Sequence, residues 1–240
     1  MKKWAVAILA LAAACAGPER PKDTPTRAVP AIQGAKRFNL VELDLEDDNV
    51  VHDTLLIYTT HALGNGHYIM AARNQHETRE GLMLLLYEPG PDSSARVIAK
   101  SKPAYDSEVM FPTFFSTGDT ADGWIILANY GGWDSWGQNV FWLKDRQFHD
   151  LGWLDVARRT WVARLDSVQQ KRGNIAPFTT VEGRGGEFNF TFTTDSVQLY
   201  DDLRGHPEIM LPSGRIGYRY ANGHMQLYID GQGRERLAPL

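Results

Sequence analysis

The chain predicts a mainly β protein, an antiparallel β-sandwich or barrel-like single domain of about 11 to 13 strands with at most one short helix. Three observations predict it. Short runs rich in aliphatic, β-branched and aromatic residues recur from Phe38 to Asp230, and most are separated by clusters of Gly, Pro, Asn or Asp. Asn222-Gly223, the preferred pair for a two-residue type I′ turn, stands between two such runs. Phe188, Phe190 and Phe192 alternate with Asn189, Thr191 and Thr193, the period-two signature of a strand with one buried face. A small β-propeller is the alternative architecture, but no repeat with the period of roughly 20 to 50 residues that it needs is visible.

Taken in order, strands are expected over 38–45, 54–60, 68–73, 82–88, 96–100, 123–130, 139–143, 148–154, 187–194, 215–220 and 224–230. The last two can be assigned residue by residue. A type I′ turn at Asn222-Gly223 sets Ala221 opposite His224, Tyr220 opposite Met225, Tyr218 opposite Leu227 and Ile216 opposite Ile229, with Arg215 facing Asp230. A slip of one residue would break both the turn and the apolar face. Trp124 to Ala128 is apolar at every position, which marks a central strand covered on both sides. Within Val156 to Lys171, Trp161, Leu165 and Val168 fall at helical spacing, and the one short helix is placed there, although Trp161, Ala163 and Leu165 alternate almost as well. Gly64-Asn65-Gly66-His67 echoes Ala221-Asn222-Gly223-His224 as a second turn feeding a strand.

The amino end has a different character. Met1-Lys2-Lys3 precedes an apolar stretch from Trp4 to Ala14 that ends in Leu11-Ala12-Ala13-Ala14-Cys15. Eleven apolar residues suit the core of an export signal and fall short of the roughly 20 that span a bilayer as a helix. The run resembles the bacterial lipoprotein signal, in which a small-residue box ends in a cysteine. That resemblance implies removal of 1–14, acylation of Cys15, and a lipid-anchored place in the bacterial cell envelope. Ala16 follows the cysteine where an aspartate would stand for retention, so the resemblance implies the outer membrane. Ordinary cleavage after Ala16 is the competing reading, because Ala14-Cys15-Ala16 also satisfies the small-x-small rule. Cys15 is the sole cysteine and cannot form an internal disulfide.

From Cys15 to Lys36 four prolines (Pro18, Pro21, Pro25, Pro30) are mixed with charged and small residues, a composition that reads as a flexible tether. Extended at about 3.1 Å per residue it would reach roughly 60 Å. The single β domain is then 37–240. Removing the leader takes Lys2 and Lys3 from the 25 basic residues, leaving 23 against 29 acidic ones and a formal charge of −6. An acidic chain with no evident basic stripe argues against nucleic acid as a partner, and against docking to anionic lipid by charge.

Catalytic signatures are scarce. There is no G-x-S-x-G elbow and no Walker phosphate loop, and Gly183-Arg184-Gly185-Gly186 reads as a turn. His76-Glu77-Thr78-Arg79-Glu80 resembles the zinc-protease motif but has Glu80 where the second histidine belongs. His61 and His67 are weak metal candidates. They project from one face if their loop is the three residues Gly64 to Gly66, and from opposite faces if it is Gly64-Asn65. Asp44, Glu46, Asp47 and Asp48, and separately Asp119 with Asp122, supply oxygens without the spacing of a calcium loop, and turn formation explains them. No cofactor is expected.

The most suggestive surface is Asn129-Tyr130-Gly131-Gly132-Trp133-Asp134-Ser135-Trp136-Gly137-Gln138, a glycine-rich connection between two strong strands. Loops on rigid β scaffolds carry binding groups, and indole faces stack on sugar rings or apolar groups. Trp133, Trp136, Tyr130 and Asp134 are the candidate ligand-binding residues, with Asn129 and Gln138 as further hydrogen-bonding groups. The expected function is a non-catalytic, lipid-anchored envelope protein whose β domain binds a ligand or partner, such as an envelope glycan or protein. The alternatives are an envelope hydrolase acting on glycan or peptide, with Asp134 and Glu108 or Asp106 as its carboxylates, and a structural subunit of an envelope assembly.

Overall fold

The computed structural model describes residues 28–46, 54–76, 81–104, 109–131, 137–164, 166–201 and 206–234, and among them the only helical elements are three-residue 3-10 turns. The strands in chain order are β1 (Lys36–Val41), β2 (Leu55–Gly64), β3 (His67–Asn74), β4 (Met83–Pro89), β5 (Ala95–Lys100), β6 (Val109–Ser116), β7 (Trp124–Gly131), β8 (Gln138–Lys144) and β9 (Gln147–Leu154). They continue with β10 (Val156–Arg164), β11 (Ser167–Gly173), β12 (Thr179–Arg184), β13 (Glu187–Phe192), β14 (Ser196–Asp201), β15 (His206–Pro212), β16 (Ile216–Ala221), β17 (His224–Ile229) and β18 (Gln232–Arg234). All pairings are antiparallel. A ten-stranded sheet runs β18-β17-β16-β13-β12-β1-β6-β7-β8-β9 and curls into a half-barrel, accompanied by the four-stranded sheets β11-β10-β14-β15 and β2-β3-β4-β5. The mainly β, barrel-like expectation holds, and no ring of separate propeller blades is seen among the described residues.

The sheet curls at β1, which changes partner midway. Lys36, Arg37 and Phe38 pair with Gly183, Glu182 and Val181 of β12, whereas Asn39, Leu40 and Val41 pair with Ser116, Phe115 and Phe114 of β6. Because β1 engages only the last three residues of β6, the stretch of β6 before them has no strand partner on that side among the described residues. Pro112, which has no N–H to donate, lies in that stretch and pairs with Ala128 of β7.

Two apolar cores share one wall. Ile125 and Leu127 of β7 join Val140, Leu154, Val181, Phe188, Phe190 and Tyr218 inside the curl. Ile126 and Ala128 point the other way, against Ile69, Leu84 and Leu86 of the β2–β5 sheet. The uninterrupted apolar run from Trp124 to Ala128 is thereby explained: the strand has no solvent face. Inside the curl the Tyr218 hydroxyl accepts the Asp155 backbone N–H at 3.2 Å, and burial holds its phenol protonated well above the usual range.

The carboxyl-terminal hairpin adopts the expected register pair for pair, from Ala221 opposite His224 to Ile216 opposite Ile229. Asn222 and Gly223 take φ of 53° and 80°, as a type I′ turn requires, and Asn65 and Gly66 do the same at 53° and 78°. Arg215 closes the far end with two 2.6 Å hydrogen bonds to the Asp230 carboxylate. Phe188, Phe190 and Phe192 are buried as their alternation predicts, yet Asn189 between them is buried as well. The cause is the amino-terminal segment: the Pro30 carbonyl accepts the Asn189 side-chain N–H, and Val29 packs on Gly217. Residues 28–35, which the sequence places in the tether, thus run along β16 and β13 at Val29 and Pro30 and meet β12 where the Gln33 carbonyl accepts the Arg184 guanidinium.

Two expectations are corrected. Among the described residues eighteen strands are seen rather than about 11 to 13: β6 and β15 contain prolines, β10 and β11 fall in the segment given to the helix, and β18 has only three residues. The helix placed over Val156 to Lys171 is instead the β10–β11 hairpin, with Trp161 opposite Gln170 and Arg164 opposite Ser167. Of the two periods that fit this segment, the alternating one prevails; Val156, Thr160, Val162 and Val168 all favour extended backbone.

Candidate functional site

The β7–β8 connection leaves the curled sheet at Gly131 and returns at Gly137, and Trp133, Asp134 and Trp136 lie outside the described residues. Tyr130 belongs to β7, where its backbone pairs with Met110. The described strand ends at the root of this connection carry a chain of amides in which Gln138 is buried and Asn129 and Asn174 are half-buried. Asn129 and Gln138 are cross-strand partners, which sets both on the inner face with Ile125, Leu127 and Val140. The Gln138 side-chain nitrogen donates to Asn129 Oδ1 at 3.2 Å and to Asn174 Oδ1 at 3.1 Å, while Asn174 Oδ1 also accepts the Ala176 N–H at 2.9 Å.

These bonds fix each amide's orientation. The Ala176 N–H marks the Asn174 atom as oxygen, which requires nitrogen from Gln138, which in turn requires oxygen from Asn129. Gln138 Oε1 then has no hydrogen-bond partner among the described residues although Gln138 is 1% exposed. A buried amide oxygen left without a donor is costly, and a ligand N–H or O–H would satisfy it. The site therefore presents one buried acceptor beside the amide nitrogens of Asn129 and Asn174, a neutral hydrogen-bonding set with no charge of its own. Asn129 and Gln138 are visible in the sequence as polar residues flanking the aromatic connection. Asn174 is not, because it arrives from 36 residues away after the β10–β11 hairpin.

Comparison with known proteins finds no matching family model, no matching curated protein and no matching solved structure.

The histidines sit elsewhere. A bulge between Ala62 and Gly64 and a two-residue Asn65-Gly66 turn give neither of the loops that the sequence offers, and His61 is paired with Ile69. His67 precedes Ile69 by two positions on β3, so both histidines belong to the strand face that carries Ile69. His67 Nδ1 is 2.9 Å from Asn65 Oδ1, and His61 is buried with its ring 5.0 Å from that of Phe114. No group of three metal-ligating side chains occurs among the described residues. Asp119 and Asp122 are already engaged: the Lys36 ammonium lies 3.1 Å from one carboxylate and 2.8 Å from the other. The Ala121 N–H first, and then Lys36, hold the Asp119 carboxyl below its ordinary range. His52, Asp47, Asp48, Glu77 to Glu80, Asp106 and Glu108 fall outside the described residues, as does Cys15.

Burial pushes the His61 imidazole below its ordinary value of 6.5, against a smaller opposite effect of the Leu43 carbonyl. The folded state thus prefers the neutral ring, whereas the unfolded chain takes up a proton as the pH falls through 6.5, so His61 costs stability on acidification. Between about pH 7 and pH 5 the urea midpoint of the wild type is expected to fall further than that of His61→Leu. Equal falls in the two proteins would show that the ring is not held neutral.

Proposed function

We propose that this chain is a lipid-anchored protein of the bacterial envelope whose β domain binds a neutral, hydroxyl- or amide-bearing ligand, with an envelope glycan as the chemistry that fits best. The observation that carries the binding reading is the oriented amide chain of Asn129, Gln138 and Asn174 at the root of the Trp133–Trp136 connection. Its unpaired buried acceptor and amide nitrogens match the hydroxyls of a sugar, and indoles supply the flat apolar faces on which sugar rings stack. The absence of charge among these three side chains favours a neutral ligand over an anionic one. The anchor rests on the resemblance of residues 1–15 to a lipoprotein signal. Acyl chains on Cys15 would hold the domain stably, because each buried methylene contributes about 0.8 kcal/mol and more than one chain is attached. With residues 28–35 seated on the sheet, the tether is shortened to Cys15 to Arg27, which at full extension spans about 40 Å.

Two measurements test the reading separately. Recovery of bound glycan from envelope extract is expected to fall about thirtyfold for Trp133→Ala/Trp136→Ala and for Gln138→Leu, the size of a lost binding hot spot. Equal recovery by all three proteins would remove the site. Incorporation of labelled fatty acid is expected to vanish in Cys15→Ser, and undiminished label would place any attachment elsewhere.

A further inference from the structure

The β10–β11 hairpin leaves the body of the protein. Only Val156 and Ala157 pair with β14, at Leu199 and Gln198, and from Arg158 to Arg164 the strand has β11 as its single partner among the described residues. Seven cross-strand pairs therefore form a two-stranded ribbon about 20 Å long at the usual rise per residue. An isolated ribbon of this kind is marginal in water, and its side chains on both faces are mostly exposed.

Its composition differs from that of the rest of the chain. Residues 158–173 contain Arg158, Arg159, Arg164, Lys171 and Arg172 against the single acid Asp166, a formal +4 within a chain whose total is −4. Arg172 is engaged by Glu208 at the root. Among the described residues Arg158, Arg159 and Lys171 form no ion pair; Arg158 lies over the Phe178 ring and Arg159 over the Trp161 ring, 4.4 and 4.9 Å from the centroids. Three of the ten large hydrophobic residues exposed among the described ones also belong to this ribbon: Trp161 at 60%, Val162 at 38% and Val168 at 65% exposure. Arg158, Arg159, Lys171 and Arg172 toward the root, Trp161, Val162 and Val168 beyond them and Arg164 in the last cross-strand pair make a basic element that also carries exposed apolar side chains. Such elements sit at the boundary of anionic bilayers, the charges among the headgroups and the indole at the interface.

We propose that the β10–β11 ribbon docks on an anionic lipid surface. The inference goes beyond the anchored-binder reading and does not need an acyl chain. It also reverses the expectation drawn from total charge, because the acidic total hides a locally basic stretch that the fold sets on one projection. A second copy of the chain fits less well: three exposed apolar side chains fall far short of the roughly 800 Å² per partner that a stable dimer uses. A nucleic acid would be met by the same cations, but it gives no role to the valines at the tip.

The test uses full chains carrying Cys15→Ser, so that no acyl anchor contributes and every protein shares the same amino-terminal segment. Co-sedimentation is measured with neutral phosphatidylcholine vesicles and with vesicles containing phosphatidylglycerol. The expected result is preferential binding to the anionic vesicles that weakens as salt rises from about 50 to 500 mM. It should fall about tenfold in Arg159→Gln/Lys171→Gln, fall further with Trp161→Ser added, and persist in the charge-keeping Arg159→Lys/Lys171→Arg, which also checks folding. Equal binding to both vesicle types, an anionic preference unchanged by the glutamine pair, tighter binding to DNA than to vesicles, or self-association that the glutamine pair abolishes would each overturn the proposal. Loss of fatty-acid labelling or of glycan recovery bears on the anchor and the amide site alone.

Discussion

Gly123→Ala is expected to destabilise the protein by about 3 kcal/mol or more, from two costs that add at one position. Gly123 joins the Asp119–Asp122 turn to β7 with φ of +72°, a conformation that costs an alanine roughly 1–2 kcal/mol. A Cβ there would also lie 2.2 Å from the Leu143 carbonyl oxygen and 3.2 Å from its carbon, and both belong to the backbone of β8. Relief would need β7 and β8 to separate at the wall the two cores share, and overpacking of that kind costs a further 1–3 kcal/mol, roughly. Gly118 provides the control. Its φ is +79° and no atom lies within 4 Å of the place a methyl group would take, so Gly118→Ala should show the backbone cost alone. Urea denaturation of the two variants separates the terms, and equal midpoints would mean that the β8 backbone yields freely.

Ile126→Ala and Leu127→Ala are each expected to cost about 2–5 kcal/mol, the range for truncating a fully buried aliphatic side chain. Neighbouring residues on a strand point to opposite sides, so in a sheet with one wet face only one of the two would matter. Here both are fully buried, Ile126 against the β2–β5 sheet and Leu127 inside the curl. Because they line different cores, the double variant should lose close to the sum of the two. A single large effect beside a small one would show that one face of β7 is solvated.

The parts of this fold legible in the sequence are those whose local and distant requirements coincide. Asn222-Gly223 fixes a turn, the turn fixes a register, and that register places Tyr218 and Leu227 together in the core. The run from Trp124 to Ala128 declares burial on both sides without any knowledge of its neighbours. The β10–β11 ribbon is hard to read for the opposite reason: exposed on both faces, it sets only the short alternation of Trp161, Ala163 and Leu165 against the chance helical spacing of Trp161, Leu165 and Val168. Pro112 hides β6, because a proline argues against a strand unless one knows that no described strand pairs beside it. The seating of residues 28–35 along β12, β13 and β16 is equally hidden, since a proline-rich stretch looks the same whether it is free or held by two carbonyls and a valine. Of the candidate site, Asn129 and Gln138 are visible from their place beside the aromatic connection, whereas Asn174 joins them only through a contact that no local pattern announces.

The divided pairing of β1 has a temporal consequence. Its first half waits for residues 181–183, so about three quarters of the polypeptide must have been synthesised before the large sheet can close. Until then Phe38 has no β12 against which to settle, and the inner core lacks one side. A chain threaded through a narrow pore during that interval would enter it before its largest sheet had formed, so late closure favours passage over premature folding.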